Sequence, residues 1–231
     1  MTGVLFNTAT VLIGSSVGLL LKKGIPERVS KAVMIVLGLC TLYIGIAGAL
    51  KGENTIVLIV SMVFGTIIGT LLDLDGKLNR LGGLVERKMK RSGENATIAE
   101  GFVTASLLFC IGAMTIVGSI NSGLRGDHEL IFTKSILDLC SSCMLASALG
   151  IGVLFAALFV LLFQGSLVLL SGLLAGVLTD PVIAEITCAG SVMIIGLGFN
   201  LIGLSKFRIV NMLPAIFLVP GVYYLAQLLP I

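Results

Sequence analysis

Charge is what this chain of 231 residues most lacks. Only 12% of it is Asp, Glu, Lys or Arg, and 57% is hydrophobic, whereas a soluble domain carries about 25% charged residues. That shortage excludes an ordinary water-soluble globule. Tryptophan is absent, so an indole belt at a membrane interface is excluded and Tyr43, Tyr223 and Tyr224 must serve alone. The single histidine, His128, falls in a loop. It leaves Cys140-Ser141-Ser142-Cys143, which spells CxxC, without a metal-binding companion, and all five cysteines (Cys40, Cys110, Cys140, Cys143 and Cys188) lie in or beside apolar runs, where they read as packing. No Walker, HExxH or GxSxG motif occurs. The expectation is therefore a non-enzyme with no cofactor and no metal. A net charge of +3, with the basic residues at the edges of apolar runs, argues against a nucleic-acid partner. Met1-Thr2-Gly3 lacks a basic n-region, so no cleavable signal is expected.

What charge there is falls in a pattern. Of the 15 Lys and Arg residues, 12 lie in three connectors, Lys22 to Lys31, Lys77 to Arg91 and Lys206 to Arg208. Between the connectors run apolar segments of the ~20 residues a spanning helix needs. The predicted spans are Gly3–Leu21, Ala32–Leu50, Thr55–Leu72, Phe102–Ile120, Ser135–Phe163, Ser166–Leu178, Ile186–Leu204 and Ile209–Leu228. The 44 residues from Ser135 to Leu178 must turn once. Phe163-Gln164-Gly165-Ser166 is the favoured break and Gly150-Ile151-Gly152 the competitor. The segment 73–100 reads as a basic cytoplasmic loop with a short amphipathic helix on Leu74, Leu78, Leu81 and Val85. Pro214 and Pro220 should kink the last span.

Eight spans put all three basic connectors on one side, which the positive-inside rule makes cytoplasmic, with both termini extracytoplasmic. Seven would strand Lys206–Arg208 on the wrong side. The expected fold is thus an all-α polytopic membrane protein of about eight transmembrane helices in one domain, residues 1–231.

The chain also echoes itself. GxxxG recurs as Gly14/Gly18, Gly65/Gly69 and Gly172/Gly176. Val33-Met34-Ile35-Val36-Leu37-Gly38 has a counterpart in Val192-Met193-Ile194-Ile195-Gly196, and Ile59-Val60-Ser61-Met62 in Ile209-Val210-Asn211-Met212. Spans one to three then match spans six to eight as an inverted repeat, a hallmark of secondary transporters. The competing reading is chance likeness among glycine-rich apolar segments. The GxxxG motifs read chiefly as helix packing, with one of them as a homodimer face.

Polar groups at membrane depth are costly and so are the candidate site. Asn7 lies one turn into the first span. Asp138 lies one turn into the fifth, where Ser141 and Ser142 are neighbours and Lys134, four residues earlier, offers an interfacial ion pair as the blander explanation. Gln164 marks a turn or a broken helix, Asn200 is placed midway through the seventh span, and Asn211 opens the kinked eighth. These six, Asn7, Asp138, Ser141, Gln164, Asn200 and Asn211, are the candidate binding residues for an ion or small polar solute.

Several of these pieces together resemble one family. Asn7 with Gly14 and Gly18, the run Phe109-Cys110-Ile111-Gly112-Ala113-Met114 with Gly118-Ser119-Ile120, the run Lys134-Ser135-Ile136-Leu137-Asp138, the pair Gln164-Gly165, and Asn211-Met212-Leu213-Pro214 are similar to the YqgA/YdfK-like family of bacterial inner-membrane proteins. That family is a domain of unknown function loosely described as transport proteins. The resemblance implies a bacterial plasma membrane and supplies no substrate. Two functions remain open: a small secondary transporter or channel, or a non-transporting scaffold or sensor that uses the basic loop as its contact.

Overall fold

The structure, a computed structural model, describes residues 1–22, 27–80, 98–111, 113–174 and 176–228. The fold is an all-α polytopic membrane bundle, with no strand among the described residues. In lipid a segment must satisfy its own backbone groups, and a helix does so internally. The long apolar runs therefore become helices: α1 (Thr2–Lys22), α2 (Glu27–Ala49) and α3 (Thr55–Leu71). Asn54 caps α3, its side-chain oxygen accepting from the N–H groups of Ile56 and Val57. At Asp73 the backbone turns left-handed (φ 47°), and α4 (Leu74–Arg80) leaves α3 at 50°. Leu74 and Leu78 of α4 pack into the core, as their spacing predicts. The rest of the basic loop, residues 81–97, lies outside the described residues, Leu81 and Val85 with it.

The remaining elements are α5 (Ile98–Cys110), α6 (Ala113–Arg125), α7 (Glu129–Leu149), α8 (Gly152–Leu169), the single turn α9 (Ser171–Leu174), α10 (Asp180–Ile202), a 3-10 turn (Ile209–Met212) and α11 (Pro214–Leu228). Five stretches are long and apolar enough to cross a bilayer: α1, α7, α8, α10 and 209–228. Taking the bent pairs α3 with α4 and α5 with α6 as one span each gives seven. The apolar part of α2, Met34–Ala49, is shorter, at about 24 Å.

Two predicted spans are corrected. The fourth is not one straight helix: Ile98–Cys110 and Met114–Arg125 meet at 60°. The turn within 135–178 falls at Gly150-Ile151 and not at Gln164-Gly165. Gly150 has φ 80°, a conformation open to a residue without Cβ, whereas Gln164 satisfies its amide oxygen by side-chain contact and stays helical inside α8. Among the described residues, 166–178 hold the end of α8 and the single turn Ser171–Leu174, and no separate spanning helix. Gly172 and Gly176 face open space.

Glycines set the closest helix contacts. A Cβ on Gly14 would lie 2.1 Å from Ser142 Oγ and 2.3 Å from the Leu139 carbonyl oxygen; on Gly18, 2.2 Å from the Cys143 carbonyl. With Gly3 against Ile131, these contacts run α1 parallel to α7. Gly38 meets Gly198 and Ile202, Gly45 meets Ile195, and Gly52 meets Cys188, so α2 and α10 are antiparallel. Gly65 meets Ala215 and Gly69 meets Asn211, so α3 and α11 are antiparallel too. Apolar surface gains nothing by leaving lipid for another helix, so this close backbone approach supplies the van der Waals contact that holds the bundle.

The contacts also sort the helix ends. Gly52 with Glu185, Gly123 with Ser171, and Tyr224 with Val177 gather at one end of the bundle. Gly101 with Gly152, Asp75 with Asn211, and Asn200 with Phe207 gather at the other. The second end carries Lys77, Arg80, Lys206 and Arg208.

Candidate functional site: a buried polar cluster on three helices

The close α1–α7 contact has a consequence inside the bundle, at Asn7 of α1 and Asp138 of α7. Asn7 is pressed against α7, and α8 folds back on both. Asn7 Nδ2 donates to Asp138 Oδ2 at 3.1 Å and to Gln164 Oε1 at 3.1 Å. Asp138 Oδ2 also pairs with Lys134 Nζ. Relative exposures of 0% for Asn7 and Gln164, 5% for Asp138 and 6% for Lys134 make this a desolvated ion pair, not the interfacial one expected. Asp138 stands nine residues into α7 from Glu129, about 14 Å along the axis. An unpaired ion there would cost several kcal/mol. The pair, the Asn7 hydrogen bond and the face of Phe109, whose centroid is 5.9 Å from Lys134 Nζ, offset that cost.

Two amide atoms of the cluster have no partner among the described residues, the acceptor Asn7 Oδ1 and the donor Gln164 Nε2. Each orphaned polar group in a buried place costs roughly 1–3 kcal/mol. A site that carries such a cost is what a polar ligand would complete.

Of the six candidates, the structure brings together Asn7, Asp138 and Gln164. Ser141 is half-buried and takes no hydrogen bond from the cluster; its neighbour Ser142 is the serine that faces α1, its hydroxyl donating to the Leu139 carbonyl at 3.1 Å. Asn200 and Asn211 belong to the opposite end. Asn200 is not midway through a span: it sits in the last turn of α10, where Nδ2 donates to the Phe207 carbonyl and Oδ1 accepts from Ser205 Oγ and Phe207 N. It ties down the loop that Gly203, at φ 85°, turns into. Asn211 Oδ1 accepts from Asp75 N at 2.9 Å and fixes α4. Asn200 also borders a cavity of about 590 Å³ at that end, which Asp75, Glu100, Thr104, Lys206 and Arg208 line as well.

Sequence reasoning missed two of the buried charged residues. Lys134 reads as a surface partner of Asp138, yet it falls on the stripe Ile131, Lys134, Ser135, Asp138, Ser142, Leu145 that α7 buries. That helical spacing was the available signal. Glu185 reads as a connector residue, yet it is buried on the stripe Val182, Glu185, Ala189, Met193 of α10. Its Oε1 accepts from the backbone N–H groups of Glu53 and Asn54, at 2.7 and 2.8 Å, and Oε2 has no partner among the described residues. Glu185 thereby anchors the α2–α3 turn and places a negative charge at the start of α3. Of the CxxC pair, Cys140 is exposed and Cys143 half-buried, and both thiols are free.

An all-helical bundle with a charge pair and two amides closed inside it is an integral membrane protein. The chain belongs to the family described as Protein of unknown function (DUF554), whose model matches residues 2–224, and this is the family the motifs pointed to. It is 32% identical over 228 residues to the uncharacterized membrane protein YdfK of Bacillus subtilis (strain 168), across 97% of this chain and 96% of that one. It is 28% identical over 219 residues to the uncharacterized protein YqgA of Escherichia coli (strain K12), across 94% and 93%. No solved structure matches the chain.

Proposed function

We propose that the protein is a small secondary transporter or channel for an ion or small polar solute, and not an enzyme. One observation carries this reading: Asn7, Lys134, Asp138 and Gln164, from three helices, meet inside a membrane bundle with a donor and an acceptor left unpartnered. Groups at that depth are retained against their desolvation cost where they handle a polar cargo. The scaffold or sensor reading draws on a different observation, that Asn200 and Asn211 are spent on locking loops at the basic end.

The membrane is a bacterial inner membrane in this reading, with the end bearing Lys77, Arg80, Lys206 and Arg208 in the cytoplasm. Counting α2 as a span gives eight crossings and extracytoplasmic termini. The inverted repeat gains support from the antiparallel pairs α2 with α10, which carry one matched sequence, and α3 with α11, where the match lies in α3 and in the 3-10 turn that leads into α11. Its glycine match at 172–176 gains none. A homodimer through a GxxxG face would use Gly172 and Gly176, since Gly14, Gly18, Gly65 and Gly69 are spent within the chain.

Uptake into liposomes holding the purified protein tests the transport reading. Flux above empty vesicles that falls when Asn7 or Gln164 is replaced by Leu is the expected result. Flux equal to that of empty vesicles across ions, amino acids and organic acids overturns it.

A further inference from the structure

We infer that the cluster takes a small monoanion together with one proton, so that transport is electroneutral; this rests on the transport reading above. The first support is charge. The site closes on one ammonium and one carboxylate, and a buried site tolerates little net charge. A bare anion added beside Lys134 and Asp138 would make it negative, and a bare cation positive. An anion that arrives with a proton on Asp138 leaves the sum at zero: Lys134 stays an ammonium, Asp138 becomes a neutral carboxyl, and the anion takes the place of the Asp138 carboxylate on Lys134. Release of anion and proton on the far side restores the pair.

The second support is the hydrogen-bond inventory. An ammonium has three hydrogens and a primary amide two. Lys134 uses one, on Asp138, and Gln164 Nε2 uses none. Four spare hydrogens therefore stand against two open acceptors, Asn7 Oδ1 and the second carboxylate oxygen of Asp138, whose two bonds both fall on Oδ2. A donor-rich cluster suits a ligand that only accepts, such as a carboxylate or halide. A metal cation would find the donors unanswered.

The third support is how the amides answer the proton. With Asp138 ionised, Asn7 gives both amide hydrogens, to Asp138 and to Gln164. A protonated Asp138 has an O–H to give. If the Asn7 and Gln164 amides both turn over, Asn7 Oδ1 accepts from the Asp138 carboxyl and from Gln164 Nε2. The second Gln164 hydrogen and the freed Lys134 ammonium then remain for the anion. The groups facing Asp138 permit this exchange. They are Lys134 on its own helix, the Asn7 amide of α1 with the Gln164 amide beyond it on α8, and on α5 the Phe109 ring and the Cys110 thiol, the latter within electrostatic reach of both charges.

The test uses the full chain in liposomes, with pyruvate, nitrate and chloride as monoanions, sodium and rubidium as cations, and alanine as a zwitterion. Expected is uptake of at least one monoanion that rises when the outside is acidified and holds within about twofold when valinomycin and a tenfold potassium gradient set the membrane potential; a carrier moving one net charge would respond roughly tenfold. Asp138→Asn should keep anion exchange and lose the drive by the proton gradient. Lys134→Gln should lose both. The Lys134→Gln, Asp138→Asn double variant carries no charge in the cluster and serves as the folding control. Uptake of sodium, rubidium or alanine alone, or monoanion uptake that follows the membrane potential, overturns the inference and leaves the transport reading standing. Flux of none of the six above empty vesicles overturns both.

Discussion

Gln164 accepts a hydrogen bond from Asn7 at 3.1 Å across 157 residues of chain. The contact joins the first helix to α8, and it explains why α8 runs unbroken through a polar residue. Asn7 spends its second hydrogen on Asp138, so replacing Asn7 by Leu removes the link among three helices at once. The loss of partners on buried Asp138 and Gln164 should lower stability by about 1–3 kcal/mol, read as a fall in thermal midpoint in detergent. A midpoint unchanged from the parent would show that the cluster holds nothing together.

The glycine contacts give a graded series. Gly14→Ala and Gly69→Ala each set a methyl against a backbone carbonyl, at 2.3 and 2.0 Å, and overpacking of this kind costs about 1–3 kcal/mol. Gly172→Ala and Gly176→Ala meet open space and should stay within about 0.5 kcal/mol of the parent. Unfolding midpoints of the four variants side by side check the order. Equal effects would contradict the helix pairing described.

Glu185 predicts a local effect. Glu185→Ala takes the acceptor from the Glu53 and Asn54 amides. Hydrogen exchange at those two amides should quicken by about tenfold or more, at the ~1–3 kcal/mol expected for two orphaned donors. Glu185→Gln keeps an amide oxygen in place and should quicken them far less. Comparable exchange in the two variants would assign the turn to some other contact.

Asn200 should behave unlike Asn7. Its three hydrogen bonds serve the Ser205–Phe207 turn, far from the cluster. Asn200→Leu should loosen that turn, raising its protease sensitivity, while any flux through the protein keeps at least about half its parental rate, a loss under ~0.5 kcal/mol. Abolished flux would move the site to the cavity at the basic end.

Sidedness is checked by thiol labelling in a background free of the five native cysteines. Cysteine at Lys51 and at Ser205 should react from opposite faces of intact cells, Lys51 from outside. Labelling of both from one face would remove the grouping of helix ends.

Much of the fold was legible before any helix was paired with another. Helices α1 and α3 begin and end within a residue or so of the predicted spans, because length and hydropathy are local properties that lipid enforces directly. The Gly150 turn was harder to place. A glycine within an apolar run and a glutamine within an apolar run both read as breaks, and only the partner of each decides. Gln164 has one in Asn7; Gly150 needs none.

The candidate site divides the same way. Asn7, Asp138 and Gln164 were marked by being polar at depth, and depth follows from counting along one helix. Lys134 and Glu185 were misplaced because a charge near a helix end is usually solvated, and burial depends on which helix covers it. The sequence by itself determined that lipid is this chain's solvent, that its elements are helices, and that its cations gather at one end, since each follows from free energies summed over neighbouring residues. Which polar groups meet, and which glycines touch a backbone, was decided only in three dimensions. Those contacts join positions from about fifty to more than a hundred residues apart, the Lys134–Asp138 pair excepted, and shape alone selects them where lipid gives no apolar face a preference.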